Sequence, residues 1–185
     1  MSVKLAINGF GRIGRNILRA SVENNRKDIE VVAINDLGSP EMNLHLLKYD
    51  SVHGRFPLDL SLHKNYLKVN NTEIEITAEK DPAKLPWSEV DVALECTGIF
   101  TDKEKASLHL NNGSKKVLIS APASNVDRTV VFGVNHDSLT STDLIVSNAS
   151  CTTNCLAMIV KVLRDNFGLQ SGHMTTVHSY TTTNV

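Results

Sequence analysis

Val3-Lys4-Leu5-Ala6-Ile7-Asn8-Gly9-Phe10-Gly11-Arg12-Ile13-Gly14 is the stretch that decides the fold. Its first half, Val3–Asn8, is a short apolar run of strand length. It passes directly into a glycine-rich turn, and from Arg12 to about Glu23 the residues Ile13, Ile17, Leu18 and Ala20 recur on one apolar face. Strand, turn and helix follow from those periods. Ile29–Asn35 is a second β-rich run, so the chain opens with a βαβ unit whose strands are parallel. A doubly wound, mainly parallel α/β sheet is the expected architecture.

Further along, Pro40–Lys48 has a helical pattern, and Tyr66–Val69 with residues 73–77 flanks the turn signal Asn70-Asn71 as an antiparallel excursion. Strand, helix and strand resume over residues 90–96, 102–110 and 116–120, and two more strands are expected at 129–134 and 144–147. A last helix begins near Cys151 and carries Leu156, Ile159, Val160, Leu163 and Phe167. It ends at Gly168, which suits a left-handed cap. Residues 174–178 are expected to start one more strand. With nothing after it to pair with, the chain reads as cut before a second unit is finished.

Of the 185 residues, 41% are hydrophobic and 21% charged, which is the balance of a globular protein and not of a disordered one. The formal net charge is -1 with no long run of one sign, so nucleic acid is not an expected partner. The N-terminus reaches Arg12 and Arg15 before any long apolar stretch, and no later segment is long enough to cross a bilayer. A cytoplasmic protein is expected. Its three cysteines, Cys96, Cys151 and Cys155, are too few and wrongly spaced for a disulfide framework, which leaves free thiols for chemistry.

Gly9, Gly11 and Gly14 fit Gly-x-Gly-x-x-Gly at the junction of strand and helix, where a dinucleotide fingerprint sits. The three glycines would make the turn, admit the pyrophosphate to the backbone, and let helix pack on strand. A glycine turn without a ligand is the competing reading. Asp36 ends the second strand roughly 20 residues downstream, where a carboxylate can accept hydrogen bonds from ribose hydroxyls and repel a 2′-phosphate. NAD is therefore expected over NADP. The alternative for Asp36 is a turn-forming aspartate before Leu37-Gly38.

Ser150-Cys151-Thr152-Thr153-Asn154-Cys155 places a hydroxyl at a helix N-cap and a cysteine in the first turn. The macrodipole and unpaired N–H groups there favour a thiolate, making Cys151 the candidate nucleophile. Cys155, one turn further on, is expected to be buried. Two cysteines with a histidine can also be read as metal ligands, but no second pair stands at zinc spacing and no metal is expected. His178 precedes Ser179-Tyr180-Thr181, and position alone does not separate it from an ordinary histidine.

Taken together, Asn8-Gly9-Phe10-Gly11-Arg12-Ile13-Gly14-Arg15, Asn35-Asp36-Leu37, Leu47-Lys48-Tyr49-Asp50-Ser51-Val52-His53-Gly54, Ala149-Ser150-Cys151-Thr152-Thr153-Asn154 and His178-Ser179-Tyr180-Thr181 resemble the signatures of the glyceraldehyde-3-phosphate dehydrogenase family, in its order. The resemblance implies a Rossmann-type NAD-binding domain over residues 1–150, followed by the beginning of an α+β catalytic domain over 151–185. It implies that Arg12, Ile13, Asp36, Lys80 and Ser120 contact NAD, and that Ser150, Thr152 and Thr181 bind the substrate's phosphate or inorganic phosphate. Cys151 would attack glyceraldehyde 3-phosphate with His178 as general base. Hydride transfer to NAD would leave a thioester, which phosphate cleaves to 1,3-bisphosphoglycerate. A homotetramer is implied for the full-length protein.

Three positions depart from the family's pattern: Lys80 where arginine is frequent, Met158 where proline is usual, and Asn184 where glutamine is common. The nearest enzymatic alternative is an erythrose-4-phosphate dehydrogenase. Outside that chemistry, the chain could be an NAD-binding fragment without turnover, or a cysteine hydrolase using Cys151 and His178. The hydrolase reading leaves the glycine loop and Asp36 without a role.

Overall fold

The structure, a computed structural model, describes residues 2–178. In chain order the elements are β1 (Val3–Asn8), α1 (Arg12–Glu23), β2 (Ile29–Asn35), α2 (Pro40–Lys48), β3 (Tyr49–Asp50), β4 (Gly54–Arg55), β5 (Leu60–His63), β6 (Tyr66–Val69) and β7 (Thr72–Thr77). They continue with β8 (Val92–Glu95), α3 (Lys103–Ala106), α4 (Leu108–Asn111), β9 (Lys116–Ile119), β10 (Arg128–Thr129), β11 (Ile145–Ser147) and α5 (Cys151–Phe167). β3 and β4 form a small separate hairpin. The remaining strands make one sheet in the order β10-β11-β9-β8-β1-β2-β7-β6-β5.

β1 runs parallel to both β2 and β8, and only β5–β6 and β6–β7 are antiparallel within the large sheet. The order therefore reverses at β1, and that switch opens a crevice beyond the carboxyl ends of β1, β2 and β8. Apolar side chains alternate across β1: Leu5 and Ile7 join Phe10, Leu18 and Ile34 on one face, while Ala6 faces the other. Ala6 is in register with Ala33 on β2 and Ala93 on β8. These three small residues make room for the buried Trp87 indole, which packs in the same cluster. Burial on both faces explains why β1 reads as a continuous apolar run.

Four sequence-based expectations are corrected. The strand expected at 129–134 covers only Arg128–Thr129. The Asn135 side chain accepts the Val131 N–H at 2.7 Å and donates to the Thr129 carbonyl at 3.1 Å. Those bonds, with Gly133 at φ 81°, turn the backbone out of the sheet. The helix expected at 102–110 is two short helices, interrupted where Ser107 Oγ donates back to the Glu104 carbonyl. Residues 174–178 form no strand; they lie against α5 and not along a sheet edge. Gly168 does end α5 with a positive φ of 75°, but its ψ of 151° is extended and not left-handed helical.

Asp127 ties α3 to the sheet. Its Oδ2 accepts the N–H groups of Leu144 and Ile145, both at 2.9 Å, and its other oxygen pairs with Lys103. The Lys103 ammonium and these amides hold Asp127 well below its ordinary 3.8, at about 2. A depressed acid stabilises the fold above its unfolded pKa, and that contribution disappears as pH falls through the folded value. Stability measured by urea unfolding is expected to decline between about pH 4 and pH 2. Asp127→Asn should be weaker at neutral pH and show a flatter acid limb; an acid limb as steep as the parent's would refute the assignment.

Candidate functional site

The crevice predicted by the strand order is a cleft of about 490 Å³. Asn8, Gly9 and Gly11 form its floor, while Asn35, Asp36, Glu79 and Lys80 make one wall. Cys96, Thr97, Ile99 and Phe100, after β8, make the other. Gly9 has φ 90°, and a Cβ there would lie 2.8 Å from Thr97 N, so only glycine fits. A Cβ on Gly14 would meet the Gly9 carbonyl oxygen at 2.2 Å, because α1 packs directly on the turn. At Gly11, by contrast, a Cβ would meet nothing within 4 Å. The open space lies beside the N-terminus of α1, whose first turn has neither a side-chain cap nor an acidic residue. Unclaimed N–H groups, a positive helix end and room beside the backbone fit a pyrophosphate.

Asp36 Oδ2 accepts the Phe10 N–H at 2.7 Å, and Oδ1 accepts the Gly38 N–H at 2.8 Å. The second bond is the turn role weighed against cofactor binding, and the geometry shows it. The first joins the carboxylate to the glycine loop. Oδ1 also accepts from Asn43 Nδ2 at 3.4 Å, which leaves Oδ2 with the further lone pair that can accept a ribose hydroxyl from the cleft.

The other expected cofactor residues divide. Lys80 lines the cleft and is exposed. Arg12 pairs with Asp50 at the start of the hairpin, and Ile13 is half exposed on α1. Asp50 is held at about 2 by the His53 and Val52 amides and by Arg12. Ser120 follows β9 and does not line the cleft; it lies beside the Cys96 thiol, which does. Burial pushes that thiol up to about 11, with Ser120 opposing and the Glu95 charge adding to the rise. Cys96 thus stays protonated near neutrality and is not the nucleophile.

Cys151 opens α5 and is exposed. Ser150 is the N-cap: its Oγ accepts the Thr153 N–H at 2.9 Å and lies 2.8 Å from the Thr153 hydroxyl. Cys151, Thr152, Cys155, Thr175 and His178 line a second cleft of about 370 Å³. His178 Nε2 is 3.3 Å from Thr152 Oγ1, so its hydrogen bond goes to the neighbour of Cys151 and not to the thiol itself. Cys155 is exposed, against expectation, because among the described residues only 174–178 lie over that part of α5. Met158 reaches Gly133 instead of kinking the helix: a Cβ on Gly133 would sit 3.0 Å from its sulfur. Thr181 and Asn184 lie outside the described residues. No cluster of three metal-ligating side chains occurs among the described residues.

Sequence reasoning missed the Asn35, Glu95 and Thr97 contributions to the cofactor cleft. The available signal was a carboxylate closing an otherwise apolar parallel strand, since strand C-termini are where α/β sheets place ligands.

The amino-acid sequence also matches known proteins. Residues 3–103 match the model described as glyceraldehyde 3-phosphate dehydrogenase, NAD binding domain, and residues 150–185 match the C-terminal domain of the same family. The chain is 61% identical over 98% of its length to glyceraldehyde-3-phosphate dehydrogenase of Cereibacter sphaeroides, covering 54% of that protein. Against the enzymes of Xanthobacter flavus and Geobacillus stearothermophilus it is 60% and 56% identical, again over 98% of the chain and 55% and 54% of theirs. The chain spans about half the length of the curated relatives it matches. A match of both domain models in chain order, one of them over more than half of the chain, places it: the chain belongs to the glyceraldehyde 3-phosphate dehydrogenase family.

Proposed function

We propose that residues 1–150 hold NAD and residues 151–185 present the nucleophile for phosphorylating oxidation of glyceraldehyde 3-phosphate. The observation that carries this reading is the pairing of an uncapped, glycine-floored helix end beside Asp36 with an exposed cysteine at the first turn of α5. Cys151 Sγ attacks the aldehyde carbon. His178, on the same cleft, takes the proton that leaves as the carbonyl is regenerated. NAD, when bound, supplies the hydride acceptor. Cys151 then carries an acyl group as a thioester, and inorganic phosphate cleaves it to give 1,3-bisphosphoglycerate. Ser150 and Thr152 offer hydroxyl donors beside the α5 N-terminus for phosphate oxygens; Thr181, outside the described residues, is assigned the same role from the family resemblance alone. The names of the matched relatives favour glyceraldehyde 3-phosphate over erythrose 4-phosphate.

The test is NAD reduction by the purified protein with glyceraldehyde 3-phosphate and inorganic phosphate, where a rate requiring both is expected. Hydrolysis of thioesters without NAD or phosphate would support the cysteine hydrolase instead. Asp36→Asn removes the charge facing the ribose, so the Kd for NAD should rise about tenfold and the preference over NADP should narrow. Calorimetry with both nucleotides checks this; an unchanged ratio would count against Asp36 as the ribose acceptor.

A further inference from the structure

Beneath the cofactor cleft runs a buried polar chain that neither the glycine loop nor Cys151 accounts for. Glu95 ends β8 at 1% exposure, and His109 on α4 is fully buried. Glu95 Oε2 accepts from Asn8 Nδ2 at 2.7 Å and lies 2.9 Å from His109 Nε2. Its Oε1 accepts the Thr97 N–H at 2.8 Å and also the Thr97 hydroxyl. Thr97 Oγ1 accepts the Ile99 N–H at 3.1 Å, and Asn8 Oδ1 accepts from Asn35 at 2.8 Å. A carboxyl buried at a strand end is expensive to desolvate, and an apolar residue of similar size would often serve stability equally well. What distinguishes this one is where its partners lie: Asn8, Asn35, Thr97 and Ile99 all line the cofactor cleft.

We infer that Glu95 is a positioning residue for the cofactor, its carboxyl fixing residues 96–100 against the glycine loop while His109 holds it from behind. The floor and this wall are already in close backbone approach, since a Cβ on Gly9 would lie 2.8 Å from Thr97 N and 2.9 Å from Cys96 C. Any drift of Thr97 therefore displaces the turn that receives the pyrophosphate. His109 is itself immobilised, stacked on Trp87 at 5.5 Å between centroids and met edge-on by Phe100. The inference rests on the cleft being the NAD site.

Calorimetric titration of the intact protein with NAD and with ADP-ribose tests it, using Glu95→Gln, Thr97→Val and Thr97→Ser. In Glu95→Gln an amide N–H₂ replaces one acceptor oxygen and faces donors, so the chain cannot close. Glu95→Gln and Thr97→Val should each raise the Kd of both ligands about tenfold. Thr97→Ser, which keeps the hydroxyl, should stay within about twofold of the parent. The rate of Cys151 alkylation by iodoacetamide should not change in any of them. If the unaltered protein binds neither ligand, the NAD reading of the cleft fails and this inference falls with it. If the unaltered protein binds and a folded Glu95→Gln keeps its affinity, the cleft reading stands and the positioning role is overturned. Should Glu95→Gln not fold, an unchanged Kd in Thr97→Val overturns it in the same way.

Discussion

Cys151→Ser is expected to lower glyceraldehyde 3-phosphate-dependent NAD reduction on the order of 10³-fold or more, while leaving the melting temperature unchanged. The loss is chemical. A thiolate is a far better nucleophile than a neutral hydroxyl, and a thioester is a far better acyl donor to phosphate than an oxygen ester. The fold is spared because Cys151 is exposed at the head of α5, and exposed substitutions away from caps and cores change little. The helix keeps its cap, since Ser150 and not Cys151 accepts the Thr153 N–H. Cys155→Ser is the control: it is also exposed and lines the same cleft one turn further on. Steady-state rates for both variants decide the assignment, which is wrong if Cys155→Ser is the inactive one.

The second large effect separates two glycines of one motif. Gly14→Ala pushes a methyl to within 2.2 Å of the Gly9 carbonyl oxygen, a backbone atom in a turn held by the Gly9 N–H to Asn35 bond at 2.8 Å. The turn cannot retreat, because Thr97 N stands 2.8 Å from where Gly9 itself would carry a Cβ. A loss of about 3 kcal/mol is expected, seen as a fall in melting temperature of roughly 6–12 °C. Gly11→Ala meets no atom and sits at φ −70°, which alanine adopts freely. It should cost less than about 1 kcal/mol in stability as a poorer N-cap, yet weaken NAD about tenfold or more by filling the space beside the helix end. Thermal melts paired with NAD titrations distinguish the two; equal melting temperatures would show that the turn is softer than its hydrogen bonds imply.

Much of the cofactor cleft was legible because its determinants are local. A strand-length apolar run, three glycines and a carboxylate after the next strand occupy adjacent stretches of chain, and periodicity reads them directly. β1, α1, β2 and α2 fall on the residues the pattern indicated. Reading failed where a side chain competed with the ladder. Residues 129–134 are β-rich by composition, but Asn135 captures the Val131 N–H, and a single hydrogen bond of that kind outweighs propensity. Cys155 was misplaced for a related reason: helical spacing says which residues share a face of α5, and not what lies over that face.

The sequence by itself determined the βαβ opening, the glycine loop, the carboxylate after β2 and the cysteine in the first turn of a helix capped by Ser150, since each depends on neighbours within one or two elements. Tertiary structure alone decided that Gly11 faces open space while Gly14 is walled in, and that Cys96 is a half-buried thiol while Cys151 is exposed. It also decided that Glu95 joins Asn8, Thr97 and His109 beneath the cleft. The Glu95 chain depends on β1 and β8 lying side by side although most of the Rossmann unit separates them in sequence, and parallel pairing of that kind is set by the packing of the whole sheet.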